Sequence, residues 1–209
     1  MRNPYLKVFY RAYDRWKQDQ RKTLRYEFPS LTPDSIVFDI GGFKGEWTDT
    51  IHERFGSTVH IFEPHPRFAK TLAEKYKDNE KIIVHAFALG SADCKLNLSD
   101  AGDASSAVSG APAPVRGEVV DVARYLRGFQ HPRIEVAKIN IEGGEYDLLP
   151  AIIAAGEMRR FALLQIQFHL FEEANIAMRN SIVENLAKTH KQDWCYEFVW
   201  EQWSLRWSD

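Results

Sequence analysis

The sequence predicts an α/β fold in which short strands alternate with amphipathic helices on a mostly parallel sheet. Three observations lead there. Val37-Phe38-Asp39-Ile40 is an apolar, β-branched run that ends in a glycine turn, Gly41 to Gly45, and opens straight into a helical pattern. A second such run, Thr58 to Phe62, ends in Glu63-Pro64-His65-Pro66 and again leads into a helical pattern. The 209 residues, 44% of them hydrophobic, bury a sizeable core in one compact domain without disulfides.

Taken in order, Ser35 to Ile40 reads as a buried parallel strand, and Glu46 to Phe55, with apolar residues at helical spacing, as the helix after it. The glycines then sit at a strand-to-helix junction. Gly41 and Gly45 are free to take φ > 0, Gly42 lies between them, and the helix N-terminus offers N–H groups without intrahelical partners. This DxGxxxG spacing differs from the GxGxxG of dinucleotide sites, and its two readings are a cofactor-cradling loop and a tight structural turn. Thr58 to Phe62 is the second strand. Glu63 comes 24 residues after Asp39, close to where an acidic residue takes hydrogen bonds from ribose hydroxyls in nucleotide folds. Pro64 and Pro66 stiffen the turn and start a helix over Arg67 to Lys77, and His65 reads as a loop histidine.

Lys81 to Ala86 is the third buried strand, and Phe87-Ala88-Leu89-Gly90 is a turn; Ala86, Phe87 and Ala88 are small or apolar enough to line a planar adenine ring. Lys95 to Leu98 is a further short strand. Ser99 to Pro114, rich in Ala, Ser, Gly and Pro, is a long loop on the substrate side, so Ser105 and Ser106 are candidates for hydrogen bonds to an acceptor, against a plain surface loop. Glu118 to Val122 reads as an edge strand running into a short helix, Ala123 to Gly128.

The fourth core strand lies in Val136-Ala137-Lys138-Ile139-Asn140-Ile141-Glu142-Gly143-Gly144-Glu145-Tyr146, with a helix through Ala155. Asn140 and Glu142 are two apart and face one side if the strand stays extended, at the end where α/β sheets bind ligands. A buried polar residue needs a partner. A ligand's amino or hydroxyl group supplies one; otherwise Glu142 and Glu145 cap the next helix. Phe161 to Phe168 is the fifth strand and delivers His169 to the crevice, where an ordinary pKa near 6.5 suits a general base; the bland alternative is a bond to a backbone carbonyl. Trp194 to Trp200 and Gln202 to Trp207 are aromatic-rich strands close enough for a hairpin.

The net charge of −2 is uneven. Residues 1 to 25 hold eight Lys or Arg against Asp14 and Asp19, a +6 segment that leaves the rest at −8. Tyr5, Phe9, Tyr13 and Trp16 recur at helical spacing, so residues 1–28 form a basic amphipathic arm ahead of a single domain over 29–209. Its partner is an anionic substrate, a membrane surface or a second copy in a homo-oligomer, against a helix docked on its own domain. The acidic remainder and the lack of helix-turn-helix, zinc-finger or RNP patterns argue against nucleic acid. Cys94 and Cys195 lie far apart without CxxC spacing, which argues against a disulfide framework or zinc site. With no transmembrane segment and no signal-peptide h-region, a cytoplasmic protein is expected.

The ordered segments VFDIGGFKGEW, IFEPHP, ALG, GDASSAV, VVDVARYL and KINIEGGEYDLL resemble the FkbM family of S-adenosylmethionine (SAM) dependent methyltransferases over roughly residues 35 to 170. The resemblance implies a Rossmann-like, doubly wound, seven-stranded sheet with an antiparallel C-terminal strand, and O-methylation of a sugar hydroxyl in a polysaccharide, glycolipid or glycosylated natural product. Asp39, Gly41, Gly42, Gly45, Glu63, Ala86, Phe87, Ala88 and Asn140 then fall to the cofactor, Ser105 and Ser106 to the acceptor, and His169, Glu142 and Asn140 to catalysis. Asn140 departs from the family's commoner Asp; it positions a ligand by hydrogen bonding but cannot take up a hydroxyl proton. Glu142 and His169 alone are too sparse a ligand set to assign a divalent metal. Two other classes compete: an NAD-type oxidoreductase, opposed by the missing GxGxxG, and a silent nucleotide-binding or assembly module of the same fold.

Overall fold

The computed structural model describes residues 3–19, 21–98 and 115–206. A helix, α1 (Lys7–Gln18), precedes β1 (Ile36–Ile40), α2 (Glu46–Phe55), β2 (Thr58–Phe62), α3 (Pro66–Lys75) and β3 (Ile82–His85). Next come three short strands, β4 (Ala88–Gly90), β5 (Cys94–Leu98) and β6 (Val115–Asp121), then α4 (Val122–Gly128). The chain continues through β7 (Val136–Ile139), α5 (Glu145–Ala154), β8 (Leu163–Ile166), α6 (Ala174–Leu186), β9 (His190–Tyr196) and β10 (Trp200–Leu205).

Seven strands make the main sheet in the order β3-β2-β1-β7-β8-β10-β9. The pairs from β3 to β8 are parallel, whereas β10 runs antiparallel to both β8 and β9. The fold class is therefore the one the sequence predicts: Rossmann-like, with an antiparallel C-terminal strand. Because β1 is buried throughout, both its faces must be covered by helices. Its alternate residues divide accordingly. Phe38 and Ile40 join Leu148, Leu149 and Ile182 in one apolar cluster, while Val37 joins Trp47, Ile51 and Leu72 in the other. Strand order reverses between β1 and β7, and the crevice at their carboxyl ends is where such sheets hold ligands.

Three features depart from the sequence reading. Phe87 to Gly90 is not simply a turn: Ala88–Gly90 pairs with Val119–Asp121, and β5 pairs with β6 on its other side, making a second sheet of order β4-β6-β5. Trp200 opens β10 instead of closing β9, and the hairpin turns at Phe198, whose φ is +60°. The sequence reading contains no α6, because its buried residues are Asn175, Arg179, Ile182 and Leu186, a stripe that is half polar. Arg179 is tolerated there by Glu201, which faces it at 2.9 and 3.1 Å. The arm follows the self-docked alternative of the sequence reading: α1 buries Ala12 and Trp16 against Tyr196, Val199 and Trp200, so part of its aromatic face lies on the hairpin. Among the described residues no helix is long and apolar enough to cross a membrane.

At the β2–β3 edge, His60 Nδ1 and His85 Nε2 lie 3.0 Å apart with their rings stacked. Burial pushes both pKa values down to about 4, and His85 and His131 add repulsion at His60. Both rings stay neutral in the folded protein while the unfolded chain takes up protons below its ordinary 6.5, so stability is full above pH 6.5 and falls as pH drops toward 4. Each ring contributes at most about 1.4 kcal/mol per pH unit, less where water reaches it. Urea unfolding across that range should show a shallower pH slope for His60→Gln than for the wild type; equal slopes would place the acid sensitivity elsewhere.

Candidate active site

The carboxyl ends of β1, β2 and β7 open onto a cavity of about 720 Å³. Beneath it lies a fully buried ion pair. Asp39 on β1 stands directly beside Lys138 on β7 in the strand register. Lys138 Nζ donates to Asp39 Oδ1 at 2.9 Å and to the Gly41 carbonyl at 2.7 Å, while Thr48 Oγ1 on α2 donates to Asp39 Oδ2 at 2.7 Å. Asp39 does not line the cavity: it ties the glycine loop to β7 and α2 from below.

The loop above is shaped by close approach. Gly41, at φ +90°, donates to the Phe62 carbonyl at 2.9 Å, and a Cβ on it would collide with the Asn140 carbonyl. Gly41 borders the cavity. Gly42 faces Ile61 and Gly45 faces Tyr76, so these two shape the turn without lining the cavity. Phe43, at φ +49°, donates its N–H to Glu63 Oε2 at 2.8 Å, and His65 N–H donates to Glu63 Oε1 at 2.9 Å. Glu63 thus clamps the loops after β1 and β2 and still faces the cavity; burial raises its pKa against the two backbone bonds. His65 is buried in the cavity wall beside Phe68 and is not an exposed loop residue.

Ala88 lines the cavity, whereas Ala86 is exposed away from it and Phe87 packs against Phe62 and Tyr125. Ser105 and Ser106 lie outside the described residues. Asn140 and Glu142 both reach the cavity, although the strand does not stay extended: β7 ends at Ile139, and Glu142 sits at φ +51°. Among the described residues, the buried Asn140 Oδ1 has no hydrogen-bond partner. An unsatisfied acceptor costs about 1–3 kcal/mol, so it invites a donor from a ligand.

His169 stands behind this wall. Its Nδ1 lies 3.1 Å from Glu145 Oε1 and its Nε2 3.5 Å from Glu142 Oε1; its N–H donates to Glu145 at 2.6 Å, and Tyr146 Oη donates to its carbonyl at 2.6 Å. Burial alone would lower the imidazole's pKa, but hydrogen bonds to Glu142 and Glu145 outweigh it and raise the value to about 9. The expectation of a neutral base near 6.5 is corrected accordingly: at neutral pH this ring carries its proton. The same contact holds the Glu142 carboxyl below its ordinary range. Among the described residues no group of three or more His, Cys, Asp or Glu is arranged to hold a metal ion.

Several residues in or beneath the wall escape the sequence reading. Lys138 had a signal, a lone cation in an apolar strand beside a strand carrying Asp39. Phe171 and Asn175 had none, since they arrive from the loop and helix after β8. Asp147 Oδ2 accepts from Ser91 N–H at 2.7 Å and joins α5 to the loop after β4. Phe43, Phe68, Leu96, Val119 and Met178 give the wall its apolar surface, and Glu172 adds a carboxylate.

A family model described as "Methyltransferase FkbM domain" matches residues 39–189, more than half of the chain. The chain belongs to the FkbM methyltransferase family. No curated protein matches it in sequence. Among solved structures, it is similar to a putative rRNA methylase from Clostridium thermocellum (TM-score 0.51, 7% identity, 91% of this chain and 97% of that one). An rRNA methylase from Streptococcus thermophilus matches with TM-score 0.52 and 12% identity over 90% of this chain and 95% of its own. A putative RNA methyltransferase from Pyrococcus horikoshii gives 0.50 and 10% over 98% and 86%. At these identities the likeness is one of fold, and with the family it supports SAM-dependent methylation. It also overturns one expectation. Domains described as RNA methylases share this architecture, so the absence of a familiar nucleic-acid motif does not exclude a nucleic-acid partner.

Replacing Lys138 by Met should leave Asp39 buried without its countercharge and cost about 3–5 kcal/mol in urea unfolding. The Asp39→Asn/Lys138→Met double variant should recover part of that loss, and a Lys138→Met protein as stable as wild type would remove the pair from its structural role.

Proposed function

We propose that this protein is a SAM-dependent O-methyltransferase acting on a hydroxyl of a sugar unit, with residues 29–209 as the methyltransferase domain, residues 1–28 as an accessory arm, and the cytoplasm as its place of action. The observation that carries the reading is a pair of acceptors on one cavity that both call for donors from a ligand. Asn140 Oδ1 lacks a donor, and Glu63 presents an acceptor-only carboxylate whose two backbone bonds leave lone pairs unused. An amino acid ammonium fits the first and ribose hydroxyls fit the second, so the residues present suit SAM. Gly41 lets the backbone approach such a ligand, and Ala88 offers a small apolar surface for a planar ring.

When bound, SAM supplies an electrophilic methyl group on a sulfonium. The protein's task is then to align an acceptor hydroxyl, keep water out and receive one proton. Glu142 is the group placed to take the proton, because it is a carboxylate on the cavity wall, carried there by a turn at positive φ. His169 acts through Glu142: its charge and its two carboxylate contacts fix the orientation of that side chain. Asn140 positions the ligand and moves no proton.

Calorimetric titration should show S-adenosylhomocysteine binding, its loss in Glu63→Ala, its weakening in Asn140→Ala, and no heat with NAD. Transfer of label from SAM to glycan and RNA fractions should fall by about 10²–10⁴ in Glu142→Gln with nucleoside affinity retained. Turnover should also fall as pH rises through about 9, where His169 loses the charge that holds Glu142. A rate that climbs through that pH would make His169 the base. Nucleoside binding without transfer to any acceptor would favour a silent module.

A further inference from the structure

The basic arm is the largest feature that the methyl-transfer site does not use. Once Ala12 and Trp16 are docked on the hairpin, α1 turns Lys7, Arg11 and Arg15 outward. They stand at i, i+4 and i+8, one line of charge rising about 6 Å per step. The line borders a groove of about 760 Å³ shared with Tyr5, Ile176 and Glu197. Lys7 and Arg11 are exposed and take no side-chain ion pair among the described residues, and Arg15 lies only over the Tyr196 ring at 5.8 Å. Of the two acids at the groove, Asp14 pairs with Lys17 at 3.0 Å, whereas Glu197 lies 3.4 Å from Arg179, which Glu201 already holds at 2.9 Å. Three cations therefore face one carboxylate, Glu197, which forms an ion pair with none of them, and the groove keeps a positive excess.

One hydrogen bond joins the groove to the wall of the site. Tyr5 Oη donates to the Phe171 carbonyl at 3.0 Å, and Phe171, 48% exposed, forms part of the cavity wall with its ring stacked on His169 at 5.7 Å. A chain lying along the arm would thus run toward the mouth of the cavity.

The geometry points to a single-stranded RNA as the ligand of this stripe. This deepens the reading under Proposed function and rests on it, since that reading requires a sugar hydroxyl as acceptor. A neutral glycan would gain nothing from that positive excess, and a flat membrane does not enter a groove. A strand with one phosphate per nucleotide matches an evenly spaced line of charge, and the half-buried Tyr5 in the groove and the exposed Phe171 beyond it offer ring surface to unpaired bases. RNA carries along that strand the 2′-hydroxyl that DNA lacks.

The test uses the full chain and a labelled single-stranded RNA of about ten nucleotides. Fluorescence anisotropy compares wild type with Lys7→Gln/Arg11→Gln/Arg15→Gln, chosen because glutamine keeps helix propensity. RNA affinity should drop at least about tenfold, and the slope of log K against log salt should lose about 2, three contacts at roughly 0.7 each. Unchanged S-adenosylhomocysteine affinity would show that the variant is folded; if that affinity is lost, the three single variants are compared instead, each expected to reduce the slope by about 0.7. Equal RNA binding by wild type and variants, no RNA binding by wild type, or tighter binding of a heparin oligosaccharide or of anionic vesicles would overturn the assignment. So would equal binding and methylation of DNA of the same sequence. RNA binding through the stripe with label transferred only to a glycan would sink the RNA acceptor while sparing the methyltransferase reading; no transfer to anything would sink that reading instead.

Discussion

The buried pair of Asp39 and Lys138 is the constraint on which the rest of the site depends. Two charges taken out of water persist only when each finds enough hydrogen-bond partners. Here the requirement is met by Thr48 on α2 and by the Gly41 carbonyl. One interaction therefore fixes the spacing of β1 and β7 at the point where strand order reverses, the start of α2, and the path of the glycine loop. The pair is at once a countercharge arrangement and a template for the loop above it.

That template forces a backbone contact that admits no side chain. Gly41 lies so close to the Asn140 carbonyl that a Cβ would collide with it, and this contact sets where residue 140 leaves β7. Asn140 then carries its side chain into the crevice with its oxygen unmet, and Glu142 turns at positive φ onto the same wall. The unmet acceptor and the strained turn are costs that a stability-driven sequence would remove. Both lie on the cavity, where a bound ligand can repay them.

Much of this was legible before the structure. Strand–turn–helix punctuation placed α2 and β2 at the residues where they occur, because each is bounded by glycine or proline and has an apolar pattern that needs no distant partner. Glu63, Asn140 and Glu142 were placed on one crevice by the same logic. The rest depends on contacts between distant residues. Ala88–Gly90 is a strand only because Val119–Asp121 lies beside it, and α6 hides its buried face behind an arginine that Glu201 neutralises. His169 illustrates the limit most clearly: its position after the fifth strand was readable, but its charge was not, since that charge is set by Glu145 and Glu142 across a turn.

The distribution of charge joins the site to the arm. At neutral pH His169 brings one positive charge to two carboxylates, so this cluster is net negative if both carboxyls are ionised, and Glu63 and Asp147 stand on the same cavity. A wall of that sign welcomes a cationic ligand and repels phosphate. The proposed polyanionic acceptor would then be held by its charges outside the cavity and enter it with a neutral sugar. The stripe of Lys7, Arg11 and Arg15 lies at such a distance, linked to the cavity mouth through Tyr5 and Phe171. On that proposal the +6 of the first 25 residues and the −8 of the remainder divide the work, the arm carrying the attraction and the domain the selection.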